Sequence, residues 1–472
     1  MIPLAKGNIA GRPLALRSIR RGLAYALAFV LVPLLLGGAG AAARMSRVMG
    51  GDPTAPAYGG ALPAPPRHDT AKRTAVLIAA NSGTEGTDFL APYEVIATSG
   101  AFNLYAVAPE RRLTHLFPGA QTMRGVDFVP HYSFDEYDRA IGRDPDLIVV
   151  PYLPFDQAPE YQAIMAWIRK HAGPRTILLS ICAGAKNLAD TGLLAGRSVT
   201  THRNAFAVIA KLHPEVRLVH DVRYVEDGNF ISSAGITAGV DATLFALKRM
   251  LGPAEARAAA QRLGYPYARF LDDPAYVLPV QQVPGALINA YRVGDDQLGV
   301  ALYPGIGEIE LGSVVDTYPR SMALTVHTVA PERTPIVSRH GLTLIPRWSF
   351  ADAPALDRVI LPGRPDDGVA ASFDRWARDR YRLPAERVHA AGGYPYDVTL
   401  RDIARRDGGA IADWAIFGME YPSGFGIAPA PFFPLGLAIR PFLLGLLGVG
   451  VAFVVEWWRR VARGQQLVVS SR

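Results

Sequence analysis

Thr176–His202 reads TILLSICAGAKNLADTGLLAGRSVTTH, and the fold turns on its first third. Thr176–Ile181 is a short apolar run of strand length. Cys182 ends it, the small residues Ala183 and Gly184 follow, and Ala185–Leu194 has a helix-like pattern. A strand, a candidate nucleophile on a tight turn and then a helix make a nucleophile elbow. Ala183 and Gly184 are the small neighbours that such a turn requires. The arrangement aims a helix N-terminus at the sulfur, so the thiol pKa is expected to fall and N–H donors to be available for an oxyanion. The alternative is that Cys182 is an inert, buried small side chain.

Working outward, similar apolar runs occur at Thr74–Ala79, Asn103–Val107 and Leu147–Val150. Helical patterns lie between some of them, at Leu90–Ser99 and Tyr161–His171. Buried strands alternating with helices predict an α/β fold, a doubly wound parallel sheet with helices on both faces. The chain also repeats itself. Tyr105 begins YAVAPERR and His327 begins HTVAPERT; Gly125 begins GVDFVPHYSF and Gly341 begins GLTLIPRWSF. Asp146 begins DLIVVP and Asp357 begins DRVILP; Asp88 begins DFLAPYEV and Glu310 begins ELGSVVDT. Four matches in one order predict two related α/β domains, 73–255 and 298–425, joined by a connector at 256–297. The second copy is degenerate: after Pro362 it has no equivalent of the Cys182 segment.

The protein has 472 residues, one cysteine and a net charge of +7. A single cysteine excludes a disulfide scaffold, and a 50% hydrophobic composition excludes intrinsic disorder. The charge is uneven: Met1–Arg47 and Arg440–Arg472 together carry +11, and the stretch between them −4. A body that binds nucleic acid would show the reverse, so no nucleic-acid partner is expected. Leu23–Ala43 is 21 residues without a charge, long enough to cross a bilayer. It reads as a membrane anchor or as a cleaved signal peptide ending near Ala41–Ala43; either would export the body of the chain. Residues 434–458 form a second candidate span, closed by Trp457, Trp458 and Arg459. Basic flanks place the tails 1–22 and 459–472 in the cytoplasm, and the main domains outside an inner or plasma membrane. Residues 44–72, rich in proline and glycine, form a spacer.

The stretches ICAG (Ile181–Gly184), GLLAGRSVTTH (Gly192–His202), DGNFISSAGITAGVDATLFALKRMLG (Asp227–Gly252) and DFLAPYEV (Asp88–Val95) closely resemble the ThiJ/PfpI superfamily, of class I glutamine amidotransferase-like, flavodoxin-like fold. The nearest resemblance is to the amidase-like domain of GlxA-type AraC-family regulators and to isonitrile hydratases. It covers 73–252, and 298–363 weakly. It implies that Cys182 is a nucleophile or oxidation-sensitive thiol, Asp88 a carboxyl on the sulfur or substrate, and His202 a base near the site. Asp88 reads equally as a helix N-cap, and His202 as a polar residue satisfying a loop. Ala183 and Gly184 would complete the elbow and its oxyanion donors. Asp241 reads as a structural cap.

Departures from the family matter too. Ala183 replaces the histidine of superfamily peptidases and the threonine of isonitrile hydratases. Tyr152 and Leu153 stand where many relatives have a Gly-Gly that lines the oxyanion pocket. No helix-turn-helix module follows either half. The resemblance thus implies cysteine-dependent hydratase or amidohydrolase chemistry on a small molecule, in a membrane-anchored protein. The alternative is a non-catalytic extracytoplasmic sensor of ligand or redox state, or a scaffold. No cofactor or metal motif is evident, and the family resemblance suggests a dimer.

Overall fold

The computed structural model describes residues 12–49, 58–117, 125–278, 290–292, 296–322, 324–422 and 435–469. Residues 1–11 and 470–472 of the tails, 50–57 of the spacer, and 279–289 and 293–295 of the connector lie outside the described residues. So do 423–434, where the sequence places the end of the second half and the start of the second span. The chain divides into two units. One holds the described residues of 1–45, 286–293 and 432–472; the other holds those of 46–285 and 294–431.

Helix α1 (Arg12–Met49) belongs almost wholly to the smaller unit. The larger unit begins with β1 (Arg73–Ile78), β2 (Thr84–Glu85), α2 (Gly86–Thr98), β3 (Phe102–Ala108), β4 (Thr114–Phe117), β5 (Val126–Val129), β6 (Tyr132–Ser133), α3 (Phe134–Ala140), β7 (Leu147–Val150) and α4 (Tyr161–His171). It continues through β8 (Ile177–Ser180), α5 (Gly184–Asp190), β9 (Ser198–Val199), α6 (Arg203–Leu212), β10 (Arg217–Leu218), β11 (Tyr224–Asp227), β12 (Phe230–Ser233), α7 (Ala238–Leu251) and α8 (Pro253–Arg262). The main sheet has the order β11-β12-β8-β7-β1-β3-β6. It is parallel except for the β11–β12 pair. Side chains alternate along β1, which explains the layers. Ala75 and Leu77 pack with Phe89 of α2 and Leu244 of α7. Val76 and Ile78 pack with Tyr137, Ile164 and Leu188 of α3, α4 and α5. Each fully buried Leu, Ile or Phe contributes roughly 2 kcal/mol. The sheet is therefore wound on both faces, as its apolar runs predict.

The second half runs β13 (Asp296–Ala301), α9 (Glu308–Val315), α10 (Thr317–Arg320), β14 (Leu324–Ala330), β15 (Ile336–Val337), β16 (Thr343–Ile345), β17 (Trp348–Ser349), β18 (Arg358–Leu361), α11 (Asp367–Tyr381), β19 (Ala385–Arg387), α12 (Pro395–Asp407) and α13 (Gly409–Gly418). Its sheet order, β17-β14-β13-β18-β19, is that of β6-β3-β1-β7-β8. This corrects the expectation that nothing after Pro362 matches the Cys182 segment. Ile148 lies opposite Leu178, and its repeat counterpart Val359 lies opposite Ala385. Four residues beyond Leu178 comes Cys182, and four beyond Ala385 comes His389. The strand is retained and a buried histidine holds the nucleophile's place. His389 Nδ1 accepts the Gly363 N–H at 2.8 Å, and burial pushes its pKa down to about 4, so the ring is neutral.

The halves share a core. Helix α2 is buried from Gly86 through Ile96, so every side of it is covered by other elements. It packs on its repeat counterpart α9, and Leu298, Val300 and Leu311 join the apolar cluster of Leu77 and Phe89. A further sheet, β15-β16-β5-β4-β2, draws strands from both halves, with Leu344 opposite Phe128. Buried Asp127 meets Arg347 across that sheet at 2.9 Å.

In the smaller unit α1 meets α14 (Leu435–Val469). Both are long and apolar enough to cross a membrane, over Ser18–Ala43 and Ile439–Ala462. Helix α1 runs past both limits expected from the sequence, 23–43, and α14 runs past the C-terminal limit of the expected 434–458. Tyr25 O–H donates to Glu456 at 2.6 Å, Arg21 pairs with Glu456, and Phe29 packs edge-on against Phe442. These contacts make the pair antiparallel. Leu23, Leu35, Phe453 and Trp458 remain exposed on its outside.

Candidate active site around Cys182

Cys182 occupies the turn between β8 and α5 with φ 58°, the left-handed region that costs a non-glycine residue about 1–2 kcal/mol. Its neighbours hold it there. The Cys182 N–H donates to Ser233 Oγ at 3.0 Å, and its carbonyl accepts from Thr201 Oγ1 at 2.9 Å. The Gly184 N–H closes the turn on Ile181 O at 2.8 Å. A Cβ on Gly184 would stand 2.2 Å from Val150 O, so only glycine lets the elbow close on the end of β7. The elbow read from the sequence is present.

The expected fall in the thiol pKa is not. Burial pushes the Cys182 thiol well above its ordinary value. The carboxyls of Asp88, Glu85 and Glu420 push the same way, and the Ile236 N–H only partly offsets them. Helix α5 has only 7 residues, too short a dipole to outweigh three acidic neighbours.

The charge of Asp88 acts on the thiol, and Asp88 is not the N-cap of α2. That cap is Glu85, whose carboxylate accepts the Asp88 N–H at 2.6 Å. Asp88 Oδ2 accepts the Tyr152 N–H at 3.2 Å, whereas Oδ1 is buried without a hydrogen-bond partner among the described residues. The second half supplies the rest. Arg320, on α10, donates to Glu85 Oε1 at 2.6 Å and to Asp316 Oδ1 at 2.8 Å; Asp316 Oδ2 is also buried without a partner among the described residues. One guanidinium thus faces three buried carboxyl groups. Burial, and for Glu85 next the charge of Asp316, holds Glu85 and Asp88 well above the usual carboxylate range. Protonation is thereby favoured at both, and a protonated Asp88 can give a proton as well as accept one.

His202 is placed differently from the sequence expectation of a base. Its Nδ1 accepts the Asn204 N–H at 3.2 Å, capping α6, and its Nε2 faces Glu420 Oε1 at 3.6 Å. Among the described residues no hydrogen bond joins it to Cys182. Burial lowers its pKa, against the pull of Glu420, so the ring is neutral. The oxyanion donors are also engaged: Tyr152 N–H by Asp88, and Leu153 N–H by Asn187 Oδ1 at 2.9 Å. Asp241 is structural, but as the partner of fully buried Arg223 at 2.7 Å rather than as a cap; Thr237 takes the cap position of α7.

Sequence reasoning missed Glu85, Asp316, Arg320 and Glu420. Two of them left a signal. Glu85 precedes the DFLAPYEV motif by one helical turn. Asp316 is the repeat counterpart of Glu94, and Glu94 mirrors its position by accepting the Ile309 N–H at the start of α9, at 2.6 Å. Arg320 and Glu420 lie in no motif.

Glu94, Glu308 and His340 come close enough together to hold a metal ion, their candidate ligand atoms all within 4.8 Å of one another. Glu308 also bonds His340 Nδ1 at 2.7 Å, and Glu94 accepts from Arg339.

Residues 72–249 match the model of the DJ-1/PfpI family. Isonitrile hydratase of Pseudomonas putida is 27% identical over 179 residues, which are 38% of this chain and 72% of that protein. The HTH-type transcriptional regulator CdhR of Pseudomonas aeruginosa is 33% identical over 91 residues, 19% of this chain and 27% of the regulator. Among solved structures, a DJ-1 superfamily protein from Salmonella typhimurium is 24% identical with a TM-score of 0.36, covering 41% of this chain and 100% of that one. Over residues 72–249, then, the chain carries a domain of the DJ-1/PfpI family.

Proposed function

We propose that this is a membrane-anchored DJ-1/PfpI-type enzyme that hydrates or hydrolyses a small molecule through Cys182. One observation carries the reading: Cys182 is held at φ 58° on an elbow and feels the charge of Asp88, whose pKa burial raises and whose Oδ1 has no partner among the described residues. A free carboxyl oxygen at a thiol is the proton relay that a thiol addition needs. The similarity to isonitrile hydratase suggests an isonitrile as substrate. The sulfur would bond to the isonitrile carbon while Asp88 protonates that carbon and takes up the thiol proton, leaving a thioimidate. Water would then add at the carbon, and the sulfur would leave as the thiol, giving an N-substituted formamide. The test is mass-spectrometric detection of that formamide from the purified full chain and a small isonitrile. Turnover that Cys182→Ala abolishes supports the reading; no turnover, or equal turnover in both proteins, defeats it.

The non-catalytic sensor or scaffold keeps one specific support, a thiol held protonated with its surrounding N–H groups engaged. For localisation, the antiparallel pairing of α1 and α14 supports an uncleaved anchor with both tails on one side, and the basic flanks support the cytoplasmic side. A reporter fused after Arg472 should read as cytoplasmic; a periplasmic signal would defeat this topology.

A further inference from the structure

We propose that Glu420 is a positioning residue of the Cys182 site, by which the second half of the chain sets the groups that face the thiol. The proposal rests on the reading of Cys182 as the reacting group. Glu420 follows α13 and lies outside the family-matched segment. It is fully buried and held at φ 46°. Its carboxylate accepts the Arg203 N–H at 2.8 Å and the Gly235 N–H, and it faces the Arg203 guanidinium at 3.8 Å and His202 Nε2 at 3.6 Å. Its own carbonyl accepts from Arg223 at 2.6 Å and from Thr237 at 3.2 Å.

Two of these contacts, at Gly235 and Thr237, flank Ile236, whose N–H faces the sulfur. Ser233 Oγ receives the Cys182 N–H. The packing is tight: a Cβ on Gly235 would stand 2.4 Å from Glu420 Oε2 and 2.5 Å from His202 Cδ2. Carboxylate, imidazole and loop backbone therefore share one space, and moving any of them moves the Ile236 N–H. Glu420 acts on the thiol in two opposed ways. Its charge disfavours the thiolate; its grip on the Gly235 N–H holds in place a donor that favours it. The other charged or titratable groups around the thiol are Asp88 and Glu85 at the start of α2, Tyr152 after β7, Arg203 on α6 and Arg320 on α10.

The two effects separate experimentally. Cys182 is the chain's one cysteine, so alkylation of the purified full chain by iodoacetamide, followed by mass spectrometry across pH, reads this thiol alone. Glu420→Gln removes the charge and keeps the shape. Its rate profile should move to lower pH by about half a unit, roughly threefold in rate on the rising limb. Gly235→Ala keeps the charge and displaces the loop, and its profile should move to higher pH by a similar amount. Opposite shifts are the signature that a merely structural contact would not give. A profile that superimposes on wild type in either folded variant, or shifts of the same sign, would overturn the proposal. Should Glu420→Gln fail to fold, the Gly235→Ala profile decides alone: an upward shift supports the proposal, and no shift or a downward one overturns it. Isonitrile turnover fails or succeeds independently, because the alkylation profiles need no substrate.

Discussion

Glu94→Gln tests how the two halves are held together. Glu94 is buried, accepts the Ile309 N–H at 2.6 Å and an Arg339 donor at 3.2 Å, and faces Glu308. Burial, and next the Glu308 charge, push its pKa from 4.5 up to about 7. In the unfolded chain it ionises near the ordinary glutamate value of about 4.3. Between these values the folded protein holds a proton that the unfolded chain has released. The stability contributed by this group is therefore complete below about pH 4.3 and is lost as the pH rises through 7. The gap corresponds to about 4 kcal/mol, at roughly 1.4 kcal/mol per pH unit, of which about 3 falls between pH 4.5 and pH 8. The side chain is only 6% exposed, so solvent screening takes little from that figure. Glutamine has no proton to lose and keeps an oxygen for Ile309. Whatever fixed cost the substitution carries, stability relative to wild type should improve by about 3 kcal/mol between pH 4.5 and pH 8. That is a thermal midpoint difference changing by about 4 °C for a body of this size. Midpoints followed by near-UV circular dichroism in detergent, at matched ionic strength, give the two curves. Parallel curves across this range would refute the argument, because they would mean that Glu94 is as readily ionised between α2 and α9 as in water.

Three further outcomes are expected. Arg223→Ala leaves buried Asp241 without its partner at 2.7 Å and should cost about 3–5 kcal/mol in urea unfolding; a loss under about 1 kcal/mol would mean that Tyr265 alone satisfies the carboxylate. Gly184→Ala drives a methyl into Val150 O, a backbone atom that cannot step aside, and should lower stability by roughly 2 kcal/mol or more; an unchanged midpoint would contradict the closeness of the elbow to β7. At Cys182, φ 58° favours glycine over alanine, so Cys182→Gly should be about 1 kcal/mol more stable than Cys182→Ala; the reverse order would argue against the left-handed turn.

The legible parts of this molecule are those where neighbours in sequence are also neighbours in space. The elbow could be read at Cys182 because its strand, its small residues and its helix follow one another, and φ 58° is what such a turn demands. The main sheet could be read from β1, β3, β7 and β8 because parallel strands buried on both faces are continuous apolar runs. By contrast β19, read as absent, is the polar edge strand AER; its one strand neighbour, β18, identifies it, and its own composition does not. The thiol pKa was misjudged for a related reason. The helix dipole is local and legible in sequence, whereas burial, the largest cause of the raised pKa, and the charges of Asp88, Glu85 and Glu420 reach the sulfur only through the fold.

That dependence on the fold also bears on what the second half is for. Helix α2 carries Asp88 and follows Glu85, but it is buried on every side, and Phe89, Leu90, Tyr93, Val95 and Ile96 could not be left at a surface. Something must cover it, and in this chain its repeat counterpart α9 does. Covering α2 with α9 brings the next turn of chain, Asp316 to Arg320, up to Glu85, because the start of α2 lies against the end of α9, just as Glu94 near the end of α2 meets Ile309 at the start of α9. The arginine that faces the buried carboxyls therefore arrives as a consequence of packing. The segment after β19 carries no such obligation, and there the register position of the thiol is taken by a neutral histidine whose Nδ1 accepts the Gly363 N–H. A half that had lost its chemistry but kept α9 would still be needed, since without α9 the Cys182 site would lose both the cover of α2 and the cation among its acids.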